Sequence, residues 1–234
     1  MSAAFDHNYE MLSFVAEGLG EELLNEVAFV GGSTTWLLCT DKNVLDDIRS
    51  TDDVDLVIEL GGIADWEKLT IRLAEKGFKI TAEHSDVTCR FVFNDIIVDV
   101  MPSVKEILGY ENRWFVDGLA HADTVKIPSG VSIKIFKPTY FIATKLEAFK
   151  GRGDGDAYHK DVEDIILVVD GRESLFEEVM QADNELRVYI ANGIAGLLKL
   201  DTLSYVIDSS HSVVANPGRG RIIFERLKNL SDLK

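Results

Sequence analysis

Between Tyr9 and Val27 the apolar residues Met11, Phe14, Val15, Leu19, Leu23 and Leu24 recur at the spacing of one helix face. Gly18 and Gly20 lie where they would bend or interrupt that helix. Ala28 to Val30 then reads as a short strand that enters a Gly-Gly-Ser turn, and Thr34 to Asp47 as a helix that leaves it. Val54 to Leu60 is apolar and β-branched on one alternating set and is closed by Gly61-Gly62, the pattern of a strand. Asp65 can cap a helix through Trp66, Leu69, Ile71 and Leu73 that stops at Gly77. Three strands follow, FKITAEH, VTCRFVF and IIVDVM, with Asn94-Asp95 as the hairpin turn between the last two. DTVKI and VSIKIF flank a further turn at Pro128-Ser129-Gly130.

Beyond Pro138 the pattern changes to helices, expected over 139–150, 157–169, 173–181, 183–199 and about 219–230. The expectation is an α/β domain over residues 1–137 followed by a helical domain over 138–234. The fold class is α+β, a mixed sheet flanked by helices ahead of that helical domain.

Composition narrows the function classes. A net charge of −16 argues against broad adhesion to nucleic acid or anionic membrane, which needs clustered Lys and Arg. The start of the chain lacks the basic and apolar regions of a secretory signal, and no stretch approaches the roughly 20 apolar residues that span a bilayer. Cys39 and Cys89 form no disulfide or zinc pattern, which fits a reduced, cytoplasmic setting. His84, His121, His159 and His211 have no metal-ligand spacing, and Trp36, Trp66 and Trp114 read as core residues.

Against that background the acids on strands stand out. Asp53 and Asp55 alternate with Val54 and Leu56, so both project to one face. Paired carboxylates repel unless a cation lies between them, and a hard divalent ion such as Mg²⁺ suits oxygen ligands. Asp99, inside IIVDVM, is an acid among apolar residues on a strand of the same sheet, where an unpaired carboxylate is costly. The bland alternative is chance, since the chain has 40 acidic residues and another Asp-x-Asp at 154–156 reads only as a loop. Asp46, Asp47 and Asp52 read as solvated surface. Gly31 and Gly32 allow close backbone approach of an oxyanion, and Ser33 adds a hydroxyl at the first turn of the next helix. Ser33 as a plain N-cap is the alternative there.

Taken together, Gly32-Ser33, Asp53-Val54-Asp55 and Asp99 resemble the signature of the nucleotidyltransferase superfamily that shares a fold with DNA polymerase β. RSTDDVDL resembles that family's Arg-x-Thr-x-Asp-φ-Asp run through Arg49, Thr51, Asp53 and Asp55. The interval from Ser33 to Asp53 exceeds the compact pattern, which implies a longer helix or an insertion. TKLEAFKGRGDGDAYHKDVEDI resembles AbiEii-like nucleotidyltransferases, a group that includes toxins of toxin–antitoxin systems, through Lys145, Leu146, Ala148, Lys160, Asp161 and Asp164. The resemblance touches most of residues 29–166.

It implies a metal-dependent transfer of NMP from a nucleoside triphosphate to an acceptor hydroxyl on tRNA or other RNA, a protein or a small molecule. Asp53, Asp55 and Asp99 would hold two Mg²⁺ ions, with Mn²⁺ as the alternative ion, about 4 Å apart. Asp99 could also act as general base. Gly31, Gly32, Ser33, Arg49, Thr51 and Lys145 would contact the nucleotide, and Lys160, Asp161 and Asp164 would support them. An antitoxin protein is the macromolecular partner of such a group.

Lys145 shares a helix stripe with Phe141 and Phe149, so its ammonium needs a partner, either a triphosphate or Asp161 and Asp164. Residues 126–160 carry seven Lys and Arg against three acids, a positive island that can also be a solvated helix face. The rival readings are a nucleotide-binding or protein-interaction protein of the same fold without transfer activity, and an α/β protein whose acids bind a structural cation.

Overall fold

The computed structural model describes residues 3–81, 88–103, 105–109 and 112–233. These form two compact units, one of residues 6–34 and 50–136, the other of a short stretch ending at Phe5, residues 35–49 and the chain from Lys137 onward.

The first unit is built on six strands, β1 (Val27–Val30), β2 (Asp53–Ile58), β3 (Arg90–Phe93), β4 (Ile96–Pro102), β5 (Asp123–Lys126) and β6 (Ser132–Ile135). Their order is β3-β4-β2-β1-β6-β5. The sheet is mixed: β2 runs parallel to β4 and β1 to β6, while β1–β2, β3–β4 and β5–β6 are antiparallel. All four residues of β1 are buried, as are Val54, Leu56, Val57 and Ile58 of β2, which makes these central strands the core. Asn94 and Asp95 both have positive φ, 47° and 66°, the geometry of a two-residue hairpin turn with matching twist.

Helix α1 (Ala3–Leu24) precedes β1 and breaks its helical geometry at Gly20, one of the two glycines expected to interrupt it. Helix α3 (Ile63–Glu75) takes Gly62 rather than Asp65 at its N-cap; Asp65 lies in the first turn and pairs with Lys68 at 3.1 Å. Its Trp66 meets Phe91 edge to face. The predicted strand FKITAEH is reduced to one bridge between Lys79 and Val92, and its last residues, His84 included, lie outside the described residues. Two short helices that the periodicity does not announce, α4 (Lys105–Leu108) and α5 (Phe115–Ala120), follow β4.

The helix expected over Thr34–Asp47 is instead split. A 3-10 turn at Gly32–Thr34 leads into α2 (Thr35–Leu38), and a second 3-10 segment covers Lys42–Asp47. The reason is tertiary: the N–H groups of Thr40 and Asp41 donate to the carbonyl of Gly171 at 2.8 and 2.9 Å, and Asp41 Oδ1 then accepts from Asn43 N. Residues 35–49, which lengthen the interval between Ser33 and Asp53, thus join the helical unit.

That unit contains α6 (Pro138–Arg152), α7 (Lys160–Gly171), α8 (Leu175–Gln181), α9 (Asn184–Leu197), α10 (Leu203–Asp208), α11 (His211–Ala215) and α12 (Gly218–Ser231). Every residue from Pro138 to Leu146 is buried, so α6 shows no polar stripe. Helices α10 and α11 are too short for a readable period. Asp47, expected on the solvated surface, accepts hydrogen bonds from the N–H groups of His211 and Ser212, the latter at 3.1 Å, and so caps α11 from a distant part of the chain.

Candidate active site

Strand alternation puts Asp53 and Asp55 on the face opposite Val54 and Leu56, as their burial pattern records. The parallel register of β2 and β4 sets Asp99 directly beside Asp55. A carboxylate oxygen from each of Asp53, Asp55 and Asp99 lies within 4.8 Å of the other two, so the three can together hold a metal ion. Asp99 is buried and the other two are partly exposed, which leaves the cluster an approach from solvent.

Gly31 lies at the edge of this cluster. Its φ of +76° suits glycine, and a Cβ built there would fall 1.9 Å from Asp55 Oδ2. The turn after β1 therefore needs glycine both for its backbone angle and to leave room for the carboxylate. Thr34 closes the turn, its N–H and Oγ1 both donating to the carbonyl of Gly31 at 3.2 and 2.9 Å. Ser33 is 1% exposed, and its Oγ has no hydrogen-bond partner among the described residues. A buried hydroxyl without a partner is costly, and an anionic ligand oxygen at this turn would satisfy it.

The donor set fits a hard divalent cation: oxygen-only ligands, a partly open approach and a free hydroxyl nearby. It also contains a cation that the sequence reading missed. Arg90 on β3 faces Asp99 across the hairpin and grips it with two parallel hydrogen bonds, Nε to Oδ1 at 2.8 Å and the terminal nitrogen to Oδ2 at 2.7 Å. Donating these hydrogen bonds to Asp99 holds the Arg90 guanidinium charged more firmly than usual, with the charges of Asp99 and Asp53 adding to the effect against partial desolvation. The pairing was available in principle. A two-residue turn at Asn94-Asp95 sets Phe93 opposite Ile96, and counting outward sets Arg90 opposite Asp99.

The other expected site residues divide between the units. Thr51 is 2% exposed, and its N–H donates to Asn8 Oδ1 at 3.1 Å while its hydroxyl donates to the carbonyl of Asp53 at 3.3 Å. Thr51 thus anchors the start of β2. Arg49 belongs to the helical unit, where a terminal nitrogen lies 3.4 Å from Asp164 Oδ2.

Lys145 is 8% exposed; its Nζ lies 2.7 Å from Asp164 Oδ2 and 3.3 Å from Asp161 Oδ1, with the Phe141 ring 5.6 Å away. Arg152 adds two hydrogen bonds to Asp161, both at 3.0 Å. Of the partners weighed for Lys145, the two aspartates are present, and Lys145, Asp161, Asp164, Arg49 and Arg152 make one ion network. Lys160 is exposed at the start of α7. A cavity of about 400 Å³ in the same unit is lined by Asp46, Asp47, Arg49, Glu163, Asp164 and Asp170, among others. Desolvation raises the Glu163 carboxyl above its usual range there, with the nearby charge of Arg49 opposing.

No family model matches the chain, and no curated protein matches it. Among solved structures, the crystal structure of an antigenic nucleotidyltransferase-like protein from Paracoccidioides brasiliensis superposes with a TM-score of 0.52 at 22% identity, covering 86% of this chain and 92% of that one. The chain has a nucleotidyltransferase-like fold. Within this fold the acid cluster falls on neighbouring central strands and the Gly31–Ser33 turn follows the adjoining strand β1. Among the described residues, no helix of the chain is long and apolar enough to cross a membrane.

Proposed function

We propose that this chain is a metal-dependent nucleotidyltransferase that moves a nucleoside monophosphate from a nucleoside triphosphate to an acceptor hydroxyl. One observation carries the reading: three carboxylates from two adjacent strands converge within 4.8 Å, against a glycine turn that bears a buried hydroxyl without a partner. In this reading Asp53, Asp55 and Asp99 hold Mg²⁺ or Mn²⁺. Such an ion, when bound, polarises phosphate oxygens and offsets the charge of the leaving pyrophosphate. Gly31 and Gly32 let the triphosphate approach the backbone, and Ser33 Oγ donates to a phosphate oxygen. Asp99, which Arg90 holds in one orientation, is the candidate acceptor for the proton of the incoming hydroxyl. The chain's own contribution is positioning and fixed electrostatics.

RNA, protein and small molecules are the acceptor classes to screen. The resemblance of residues 145–164 to AbiEii-like enzymes puts tRNA first and makes an antitoxin the partner to seek. The test is transfer from α-labelled nucleoside triphosphates to each acceptor class, with pyrophosphate release followed in parallel. Label transfer that is abolished by Asp53→Asn supports the reading, and equal transfer by that variant rejects it.

The Arg90 grip on Asp99 favours a second reading, a nucleotide-binding protein without transfer, because the guanidinium already engages both oxygens of the third carboxylate. Metal-dependent nucleotide binding with no pyrophosphate release from any acceptor mixture would select it.

A further inference from the structure

One row of residues crosses four strands of the sheet. Val30 on β1, Asp55 on β2, Asp99 on β4 and Arg90 on β3 stand opposite one another in register. Two carboxylates are neighbours in this row, an arrangement that is unfavourable for like charges, and a guanidinium closes it on the β3 side. The side chains of Arg90 and Asp99 are 25% and 12% exposed, so water screens the pair only in part. Arg90 uses its planar fork on both Asp99 oxygens, the strongest form of such a contact. Any cation that takes Asp99 as a ligand must share those oxygens with a fixed positive charge.

Resting on the metal-dependent reading above, we infer that Arg90 is an internal competitor for the divalent cation, lowering affinity for the free ion and favouring a metal–triphosphate, which brings its own negative charge. The electrostatics run in opposite directions for the two ligands. A free dication is repelled by the guanidinium, whereas an anionic metal–triphosphate complex is attracted by it while its metal is held by the carboxylates. Arg90 therefore acts through Asp99 as a positioning residue that also sets which form of the metal the site accepts. Three carboxylates alone would be a general divalent-cation trap. The same three with Arg90 carry one negative charge fewer and keep Asp99 in a single orientation.

The experiment is calorimetric titration of free Mg²⁺, and of Mn²⁺ as a second probe, into the full chain as wild type, Arg90→Gln, Arg90→Lys and the Asp53→Asn/Asp55→Asn double variant. Thermal unfolding of each is recorded with and without metal. Arg90→Gln is expected to bind the free ion about tenfold or more tightly than wild type, the effect of removing a unit charge beside a dication. Its Tm should rise more on adding Mg²⁺ than that of wild type. Arg90→Lys keeps the charge and should bind within a few-fold of wild type; if Arg90→Gln fails to fold, Arg90→Ala supplies the neutral variant, with the same tenfold gain expected.

Equal or weaker free-ion binding by Arg90→Gln overturns the inference and leaves Arg90 as an orienting residue only. So does a tenfold gain in Arg90→Lys. The metal reading itself fails separately, if the double variant binds the free ion as the wild type does or if no variant binds it.

Discussion

Replacing Gly31 by alanine tests how closely the turn and the acid cluster depend on each other. Two costs can be separated. The first is backbone: at φ +76° an L-residue with a Cβ pays about 1–2 kcal/mol. The second is contact. The new Cβ would lie 1.9 Å from Asp55 Oδ2, 2.8 Å from its Cγ and 3.0 Å from its Cβ, so the carboxylate must leave its position or the turn must move. Such overpacking adds about 1–3 kcal/mol.

Gly130→Ala, in the same unit, is the control. Its φ is +93°, but the nearest atom to a new Cβ is the end of the Lys126 side chain at 4.0 Å, so only the backbone cost applies. Gly31→Ala should therefore destabilise by about 2–5 kcal/mol and Gly130→Ala by about 1–2 kcal/mol. Urea unfolding gives both values, and metal titration of the folded variants gives the second readout. Gly31→Ala should weaken divalent-cation binding, because Asp55 is displaced, whereas Gly130→Ala should not. Equal destabilisation by the two, with metal binding unchanged in both, would refute the claim that Gly31 makes room for the Asp55 carboxylate.

Lys145→Met removes an ammonium that faces two buried carboxylates. Arg152 still holds Asp161 and Arg49 still lies beside Asp164, so the loss in urea unfolding should be about 2–3 kcal/mol, below the about 3–5 kcal/mol of a fully broken buried pair. No loss would mean that the network is idle. Burial, with the charges of Asp170 and Asp41 adding to it against Arg172, pushes the Cys39 thiol up to about 12, and burial with the charge of Asp99 pushes Cys89 up to about 11. Both values lie above the ordinary thiol value of about 8.5, so the folded state holds these protons more tightly. Stability should be unaffected by them below that value and fall as pH rises from there through 11 and 12. Buried Cys89 should label slowly with iodoacetamide at pH near 8 in the native protein and quickly once unfolded; fast native labelling of Cys89 would contradict the burial.

The six strands of the first unit are legible from their short apolar or alternating runs and from the turns at Asn94-Asp95 and Pro128-Ser129-Gly130, whereas FKITAEH, which reads as a strand, keeps a single bridge. Asp53, Asp55 and Asp99 were visible for the same reason, as acids that interrupt strands. Arg90 was missed because its role depends on strand pairing, although the hairpin turn fixes that pairing by counting. The break in the helix expected over 34–47 could not be read locally. It is imposed by Gly171, a residue far along the chain, whose carbonyl takes the N–H groups of Thr40 and Asp41. Asp47 looked solvated for a like reason, its partners being the N–H groups of His211 and Ser212. Arg49 and Thr51 are two residues apart yet fall in different units, a division that no spacing announces. Lys145 was legible as a buried lysine in need of a partner, and its helix stripe with Phe141 and Phe149 was the signal.

The measurement that bears most directly on the account is calorimetric titration of each of the four nucleoside triphosphates, with and without Mg²⁺, into wild type and the Asp53→Asn/Asp55→Asn variant. Saturable binding of at least one nucleotide is expected, requiring Mg²⁺ and lost in the double variant while its unfolding transition is retained. Nucleotide binding that is indifferent to Mg²⁺ and to both substitutions would contradict it, as would the failure of folded wild type to bind any of the four.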